Sequence, residues 1–485
     1  MEYVLSTLKP EKVFYYFEEI TRIPRGSGNE QQISNYLINF AKQNSLEFIQ
    51  DDALNVIIKK PGTIGYETAP TVILQGHMDM VCEKNQKTIH DFEKDPIPLF
   101  IEGDFIKAKG TTLGADNGIA LAYMLSILED QEHPHPPLEI LITTDEEVGM
   151  KGALALDGEL LEGRILINLD TEEEGAILVS CAGGARVTAK LPLDVISNNN
   201  SYETYHLSIR GLKGGHSGID INMGRGNANL LMGRILYDLS KIVEYDLIKI
   251  EGGSKDNAIP RESDAWISIS PKDKKKLEEK INQWSSILAH EYHSIDVDIE
   301  VKANKVVLAN SIRLSKTTKD KILSLLLTIP NGVQSMSPDM PNLVQSSLNL
   351  GVVRMEEKHI IFTTAIRSSV KTLKQHMINQ LESLFTQLGA TIDIYGDYPA
   401  WEYKEESPIR EIFQKVYQDI YGKDVEVKAI HAGLECGIFA EKLTGVDMVS
   451  FGPNMWDVHT PDERVSISST ERMWNYLLAV LREIQ

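Results

Sequence analysis

The chain has 485 residues, of which 42% are hydrophobic and 25% are charged, an ordinary globular composition that gives no reason to expect disorder. This length exceeds the size at which one hydrophobic core usually stops growing, so we expect at least two domains. The formal net charge of -21 repels phosphate backbones and anionic membranes. We therefore expect no nucleic-acid partner and no membrane partner.

Cysteine usage and the N-terminal segment both favour a cytoplasmic protein. The three cysteines, Cys82, Cys181 and Cys436, are odd in number and widely spaced, which argues against a disulfide framework and fits a reducing compartment. The first 30 residues lack the basic start and apolar core of a signal peptide. No run approaches the roughly 18 apolar residues that a membrane span needs.

The N-terminal part of the chain predicts helices followed by an α/β layer. Amphipathic helices are predicted over Pro10–Ile23 and Asn29–Lys42. Short apolar runs, each followed at once by polar residues, then occur at Thr71–Gln75, Leu138–Thr143, Arg164–Leu169 and Val446–Phe451. Such runs, separated by helical stretches such as Ile119–Leu128, indicate buried parallel strands. Ligands of these sheets gather beyond the carboxyl ends of the strands, where the polar residues fall.

The middle of the chain, from about Leu191 to Ala390, predicts an α+β insertion. Alternating strands are predicted at Tyr205–Ile209, Ala265–Ser270, Ile295–Val301 and Ile360–Ile366, and amphipathic helices at Asn227–Leu239, Lys274–His290 and Lys371–Leu388. A faint internal repeat pairs the strand–helix unit Tyr205–Leu239 with Ile360–Leu388. Asn198–Asn200 is predicted to be a polar turn, and His133 and His135, in a Pro-rich turn, are predicted to be exposed.

Imidazole and carboxylate side chains cluster near the predicted strand ends. They are His77, Asp79, Asp116, Glu146, Glu147, Asp170 and His459. Taken singly, each is usually a solvated turn residue, a helix cap or a structural histidine. Together they form a suitable ligand set for zinc, manganese or cobalt, and most of them stand where a parallel sheet would bring them together.

Five motifs resemble the metal-site motifs of the M20 metallopeptidase family. They are Gly76-His77-Met78-Asp79-Met80, Leu113-Gly114-Ala115-Asp116-Asn117-Gly118, Thr144-Asp145-Glu146-Glu147-Val148-Gly149, Asn168-Leu169-Asp170 and Asp457-Val458-His459-Thr460-Pro461. They occur in the same order as in the family, so the resemblance covers essentially the whole chain. It implies two divalent metal ions per subunit, expected to be Zn²⁺ with Mn²⁺ or Co²⁺ as alternatives.

The resemblance also implies the role of each ligand. His77 would bind one metal, His459 the other, and Asp116 would bridge both. Glu147 and Asp170 would complete the two ligand sets.

Two further acidic residues are expected to act in catalysis. Asp79 shares a strand face with His77 and is expected to accept a hydrogen bond that fixes its tautomer. Successive side chains of an extended segment point in opposite directions, so one of Glu146 and Glu147 can face the metal while the other faces the substrate. We assign Glu146 as the general base, acting on a hydroxide that bridges the metals.

The insertion supplies candidate substrate contacts. In the resembled family a lid histidine stabilises the oxyanion, and this role falls on His216 in the glycine-dense turn Gly211–Gly218. Arg367, at the end of an apolar strand, is expected to bind the substrate's C-terminal carboxylate. The small-residue turn from His431, chiefly the amides around Gly433, is expected to help hold that carboxylate.

The predicted fold class is therefore α/β, a mainly parallel-sheet di-metal hydrolase domain with an inserted α+β lid domain. Residues 1–190 with 391–485 would form the catalytic domain, and residues 191–390 the lid and dimerisation domain of a homodimer. The expected activity is hydrolysis of dipeptides, including Xaa-His substrates such as β-alanyl-histidine. The alternatives are an M20-type deacylase or carboxypeptidase and a catalytically silent metal-binding assembly protein. In the resembled family, deacylases and carboxypeptidases tend to have Glu at the position of Asp170, so Asp170 favours a dipeptidase.

Overall fold

The computed structural model describes residues 3–196, 202–308 and 313–485, so the Asn198–Asn200 turn lies outside the described residues. The chain divides into two compact units. The first comprises Met1–Cys181, Trp401–Ala429 and Leu434–Gln485, and the second comprises Ala182–Ala400 and Ile430–Gly433. None of the helices formed by the described residues is long and apolar enough to cross a membrane.

The first unit is built on an eight-stranded sheet with a parallel centre. The strand order is Glu47–Gln50, Val56–Lys60, Leu138–Thr143, Val72–His77, Ile165–Asn168, Asp447–Ser450, Ala176–Cys181 and Glu426–Ile430. The four strands from Leu138–Thr143 to Asp447–Ser450 are parallel, and their neighbours on either side are antiparallel. This arrangement confirms the predicted α/β class, with the parallel strands at the centre of a mixed sheet.

Helices cover this sheet and explain its apolar strands. Every residue of Val72–His77 and of Leu138–Thr143 is buried, as expected for strands packed on both faces. The unit's helices are Glu11–Thr21, Gln31–Gln43, Ala115–Glu129, Lys151–Ala155, Pro408–Tyr421, Glu435–Lys442 and Ile467–Glu483, with a 3₁₀ turn at Gly158–Leu160. A smaller sheet pairs Met455–Trp456, Arg464–Ser466, Phe105–Ala108 and Leu99–Glu102.

The second unit contains a nine-stranded antiparallel sheet. Its order is Glu300–Val306, Glu203–Arg210, Ser263–Ile269, Tyr245–Gly252, Val344–Met355, His359–Ser368, Gly183–Pro192 and Thr391–Tyr398, with Gly332–Met336 paired to Val344–Met355. Its helices are Ala228–Leu239, Lys274–Glu291, Lys316–Thr328 and Lys371–Gln387, with a 3₁₀ turn at Pro271–Asp273. Short two-stranded pairs join Val195–Ile196 to Arg313–Leu314 and Gly215–His216 to Ala258–Ile259. The apolar faces of the helices pack with the strands into one core.

Eight of the nine strands, all except Gly332–Met336, form two repeats of the same strand-helix-strand-strand-helix-strand topology. In each repeat the spatial order of the strands is fourth, first, third, second, and the two second strands meet at Gly252 and Val353. The first repeat runs from Glu203 to Val306. The second comprises Gly183–Pro192 and the elements from Lys316 to Tyr398. The first repeat is therefore inserted between the first strand and first helix of the second.

The predicted internal repeat has a different register in the structure. Tyr205–Leu239 covers the first strand and first helix of one repeat, whereas Ile360–Leu388 covers the third strand and second helix of the other. The topological counterpart of the latter is Ser263–Glu291. Sequence order misleads here because one repeat interrupts the other.

Two local predictions are wrong. The strand predicted at Ile295–Val301 begins only at Glu300, because the preceding residues form turns in which buried Asp296 accepts hydrogen bonds from the amides of Lys213 and Gly226, both at 2.8 Å. His135 is fully buried. Its amide donates to Thr63 Oγ1, and this contact holds the Pro-rich turn against the unit rather than in solvent.

Candidate metal centre

His77 is the last residue of the central strand Val72–His77 and is buried. Its Nδ1 lies 3.2 Å from the backbone oxygen of Asp79 and 3.3 Å from Asp79 Oδ1. Because both neighbours are acceptors, Nδ1 carries the ring proton, which leaves the Nε2 lone pair available to a metal ion. The glycine before it is needed for packing, since a Cβ on Gly76 would lie 2.4 Å from Asn117 Oδ1.

Asp116 lies between two histidines that are far apart in sequence. Its Oδ1 is 3.1 Å from His77 Nε2, and its Oδ2 is 3.1 Å from His459 Nε2. Each oxygen therefore faces a different imidazole. A carboxylate that bridges two cations needs this geometry.

Asp170 lies on the His77 side of Asp116, and Glu147 lies on the His459 side. Asp170 Oδ1 lies 3.5 Å from His77 Nε2, and Glu147 Oε1 lies 2.9 Å from His459 Nε2. His77 with Asp116 and Asp170, and Asp116 with Glu147 and His459, form two groups whose ligand atoms lie within 4.8 Å of one another. The structure thus brings all five predicted metal ligands together within the first unit.

Glu146 and Glu147 do not lie on an extended segment, so the reasoning from alternating side chains is wrong. They lie in a turn whose amides donate to Asp79, from Glu146 at 3.1 Å and from Glu147 at 3.3 Å. As a result both carboxylates approach His77, and a ligand atom of each lies within 4.8 Å of the ring. Asp79 fixes both the histidine and the acidic turn.

The electrostatics of the cluster reflect close pairing of imidazole and carboxylate. Hydrogen bonds to Asp116 and Glu147 raise the pKa of His459 to about 11. Burial alone would raise the pKa of Asp116, but hydrogen bonds from His459 and His77 hold it well below its usual range. Burial raises the pKa of Asp170 to about 6. A metal ion would compete with protons for these same atoms.

Burial also raises the pKa of Glu146 well above its usual value, and the negative charge of Asp170 adds to the rise. The nearby imidazole of His77 opposes it. A raised pKa makes the Glu146 carboxylate a stronger proton acceptor.

Two residues that position Asp116 were not predicted from the sequence. The carboxylate of Glu463 accepts hydrogen bonds from the amides of residues 113–116 at 2.7–3.4 Å, and it fixes the start of the helix that begins at Ala115. Buried Arg25 donates to the backbone oxygens of Met78 and Asp79 and to that of Gly114.

Asn117 is a further missed residue and ties two ligands to one helix. Its Oδ1 accepts from the His77 amide at 3.2 Å, and its Nδ2 donates to Asp170 Oδ1 at 2.9 Å. A polar residue directly after a predicted ligand was the one sequence signal for this role.

The remaining candidates lie in the second unit. The amides of Gly218 and Ile219 donate to His216 Nδ1 at 3.3 and 3.1 Å. Because Nδ1 accepts from both amides, the proton of the neutral ring lies on Nε2. Burial and the charge of Arg367 lower the pKa of His216, which favours this neutral form. Arg367 Nη2 lies 3.4 Å from that Nε2.

His431 and Gly433 lie near the same arginine, Gly433 through Tyr398. His431 Nε2 lies 2.7 Å from Ser347 Oγ, and burial lowers the pKa of its imidazole to about 3. Arg367 Nη1 donates to the Tyr398 hydroxyl at 3.2 Å, and a Cβ on Gly433 would lie 2.8 Å from the Tyr398 ring. Glycine at this position therefore makes room for the tyrosine that holds Arg367.

The donor set fits divalent metal ions. Imidazole and carboxylate ligands suit zinc, manganese and cobalt. The carboxylates of Asp116, Glu147 and Asp170 carry three negative charges, and two divalent cations carry four positive charges. A parallel-centred α/β sheet that carries this cluster at the carboxyl ends of its strands defines a metallohydrolase.

The chain belongs to the peptidase family M20/M25/M40, whose family model matches residues 73–483. It is 40% identical over 480 residues to the cytosol non-specific dipeptidase of Escherichia coli (strain K12), with 99% of both chains covered. Its structure is similar to the crystal structure of aminoacylhistidine dipeptidase from Vibrio alginolyticus, with a TM-score of 0.93 and 39% identity over 99% of this chain and 98% of that chain. The family predicted from the motifs is confirmed.

A more distant structure shares the fold. The aminopeptidase PepT from Bacillus cereus ATCC 10987 matches with a TM-score of 0.58 and 16% identity, over 98% of this chain and 99% of that chain.

Replacing Asp116 should empty the metal centre, whereas replacing His459 should remove one ion. Asp116 offers an oxygen toward each histidine, so Asp116→Ala takes a ligand from both positions, while His459→Ala leaves the His77 side intact. Metal content after dialysis, measured by mass spectrometry, should fall close to zero in the first variant and to about half in the second. His133→Ala, which removes an exposed histidine paired with Asp130, is the control. Full metal content in Asp116→Ala would contradict a bridging role.

Proposed function

We propose that this chain is a cytoplasmic, metal-dependent dipeptidase that hydrolyses the peptide bond of dipeptides, including Xaa-His substrates such as β-alanyl-histidine. It would use two divalent ions, of which zinc is the expected one and manganese and cobalt are the alternatives. The observation that carries the proposal is Asp116 placed between His77 and His459, in a chain that over 99% of its length is similar to a cytosol non-specific dipeptidase.

The ions, when bound, would lower the pKa of water and polarise the scissile carbonyl. Within the protein, Glu146 takes the proton from the water oxygen as that oxygen attacks the carbonyl carbon. The same carboxyl group then gives the proton to the departing amine nitrogen as the carbon–nitrogen bond breaks. Asp79 supports both steps because it holds the amide of Glu146 and orients His77.

The second unit would act as the lid and bind the substrate. A neutral His216 with its proton on Nε2 can donate to the carbonyl oxygen as negative charge develops there. Arg367 is buried and its Nε has no hydrogen-bond partner among the described residues, so it can pair with the C-terminal carboxylate of a dipeptide. His431 and the amides around Gly433 would support this carboxylate site.

The proposed assembly is a homodimer joined through the second units. Thr391–Tyr398 is an edge strand of the nine-stranded sheet, and Ile394 and Tyr395 on it are exposed. Edge strands with apolar side chains are ready surfaces for pairing with another chain.

Glu146→Gln should retain both metals and lose most of its turnover. The amide keeps the shape of the side chain but cannot accept the proton, so kcat should fall by about 10²–10⁴-fold. The assay is a panel of dipeptides that includes β-alanyl-histidine, with acetylated amino acids beside them and metal content measured in parallel. Wild-type turnover in this variant would show that another group is the base. Cleavage of only the acetylated amino acids by the wild type would favour a deacylase.

Arg367→Ala should mainly weaken recognition of a free C-terminus. We expect a higher KM for free dipeptides with a smaller change in kcat, because the guanidinium binds a part of the substrate that does not react. The wild type should prefer free dipeptides to their C-terminal amides, and the variant should lose this preference. Equal activity of the wild type on both forms would rule the role out.

Light scattering on the purified protein should give twice the mass of one chain. Ile394→Lys, which places a charge on the exposed edge strand, should shift the protein toward a monomer. A wild-type monomer with full dipeptidase activity would contradict the proposed dimer.

A further inference from the structure

A buried carboxyl group close to the metal ligands has no role in the mechanism above. Glu435 is the first residue of the helix Glu435–Lys442 and is 1% exposed. Its Oε2 accepts hydrogen bonds from Gln75 Nε2 at 2.5 Å and from Thr143 Oγ1 at 2.7 Å. Its Oε1 is buried and has no hydrogen-bond partner among the described residues.

The partners of Glu435 lie on strands that end close to the metal ligands. Gln75 is two residues before His77, and residues with this spacing share a strand face. Gln75 Oε1 in turn accepts from Asn168 Nδ2 at 2.5 Å, and Asn168 is two residues before Asp170. Glu435, Thr143, Gln75 and Asn168 therefore form a buried, hydrogen-bonded polar layer next to the ligands, and Glu435 is its acidic member.

The charge of this group is difficult to explain without a nearby cation. Burying a carboxylate with one bare oxygen is costly unless a positive charge compensates it. Burial raises the pKa of Glu435 to about 7, while the His77 imidazole acts in the opposite direction. Two divalent ions held by the neighbouring ligands would supply that positive charge.

We propose that Glu435 is a positioning and charge-balancing residue of the metal centre: its ionised carboxylate stabilises the bound cations without touching them, through Gln75 and Thr143 and through the electric field of its charge. This inference rests on the metal centre of the proposed function and adds a residue to it. The competing explanation is that Glu435 only fills space and accepts two hydrogen bonds.

Two substitutions separate charge from shape. Glu435→Gln keeps the size of the side chain and an oxygen that can accept from Gln75 and Thr143, but it removes the charge. Glu435→Asp keeps the charge and shortens the reach. A role in charge balance predicts that Gln weakens zinc binding more than Asp does, whereas a role in packing predicts the reverse order.

The measurement is the zinc dissociation constant of the apoprotein, obtained by competition with a chromophoric chelator. Glu435→Gln should weaken zinc binding by about 10–100-fold, the range found when groups beyond the direct ligands are replaced. Thermal melting of the metal-free proteins is the second readout. There Glu435→Gln should melt at or above the wild-type temperature, because it removes an uncompensated buried charge.

Glu139→Gln is the matched control. Glu139 is also a buried glutamate of the same sheet, but it accepts from the amides of Glu162 and Gly163 and pairs with Lys59. Its replacement should leave zinc affinity unchanged. Unchanged zinc affinity in Glu435→Gln, or a greater loss in Glu435→Asp, would overturn the proposal. A wild-type protein that binds zinc tightly and cleaves no dipeptide would contradict the proposed function alone.

Discussion

Asp116 must present one carboxylate oxygen to His77 and the other to His459, and the geometry of the centre depends on holding it there. The two histidines come from opposite ends of the chain, and both contacts measure 3.1 Å. A carboxylate in such a position needs a fixed backbone, which Glu463 provides through the amides of residues 113–116 and Arg25 through the oxygen of Gly114. Buried charges of this kind persist because each has several partners.

The parallel strands explain how so many polar groups can be buried at one edge of the sheet. Each strand ends at the same side, so residues that follow the strands meet without any sequence proximity. The residues two positions earlier on the strands form a second polar layer, in which Gln75 and Asn168 are directly bonded. Main-chain hydrogen bonds of the sheet fix both layers together, and a shift of one strand would displace both.

The ligands could be predicted because each one directly follows or lies close to an apolar run or belongs to a recognisable motif. The strand Leu138–Thr143 begins and ends where the hydrophobic pattern predicts. The supporting residues could not be found in this way. Glu463 and Glu435 bind partners about 350 residues away, and single acidic residues give no periodic signal. The turn at Glu146 was missed for the same reason, since the amides that shape it are held by Asp79 rather than by neighbours in sequence.

The duplicated topology of the second unit explains how His216 and Arg367 come together. His216 follows the first strand of one repeat, and Arg367 lies on the third strand of the other, yet their side chains approach to 3.4 Å. The contact between His216 and Arg367 is thus formed between two repeats of a single chain. Because one repeat is inserted into the other, both residues are supplied by the same polypeptide, and their proximity needs no second subunit. Dimer formation through the exposed edge of this sheet would therefore add an interface without being required to bring His216 and Arg367 together.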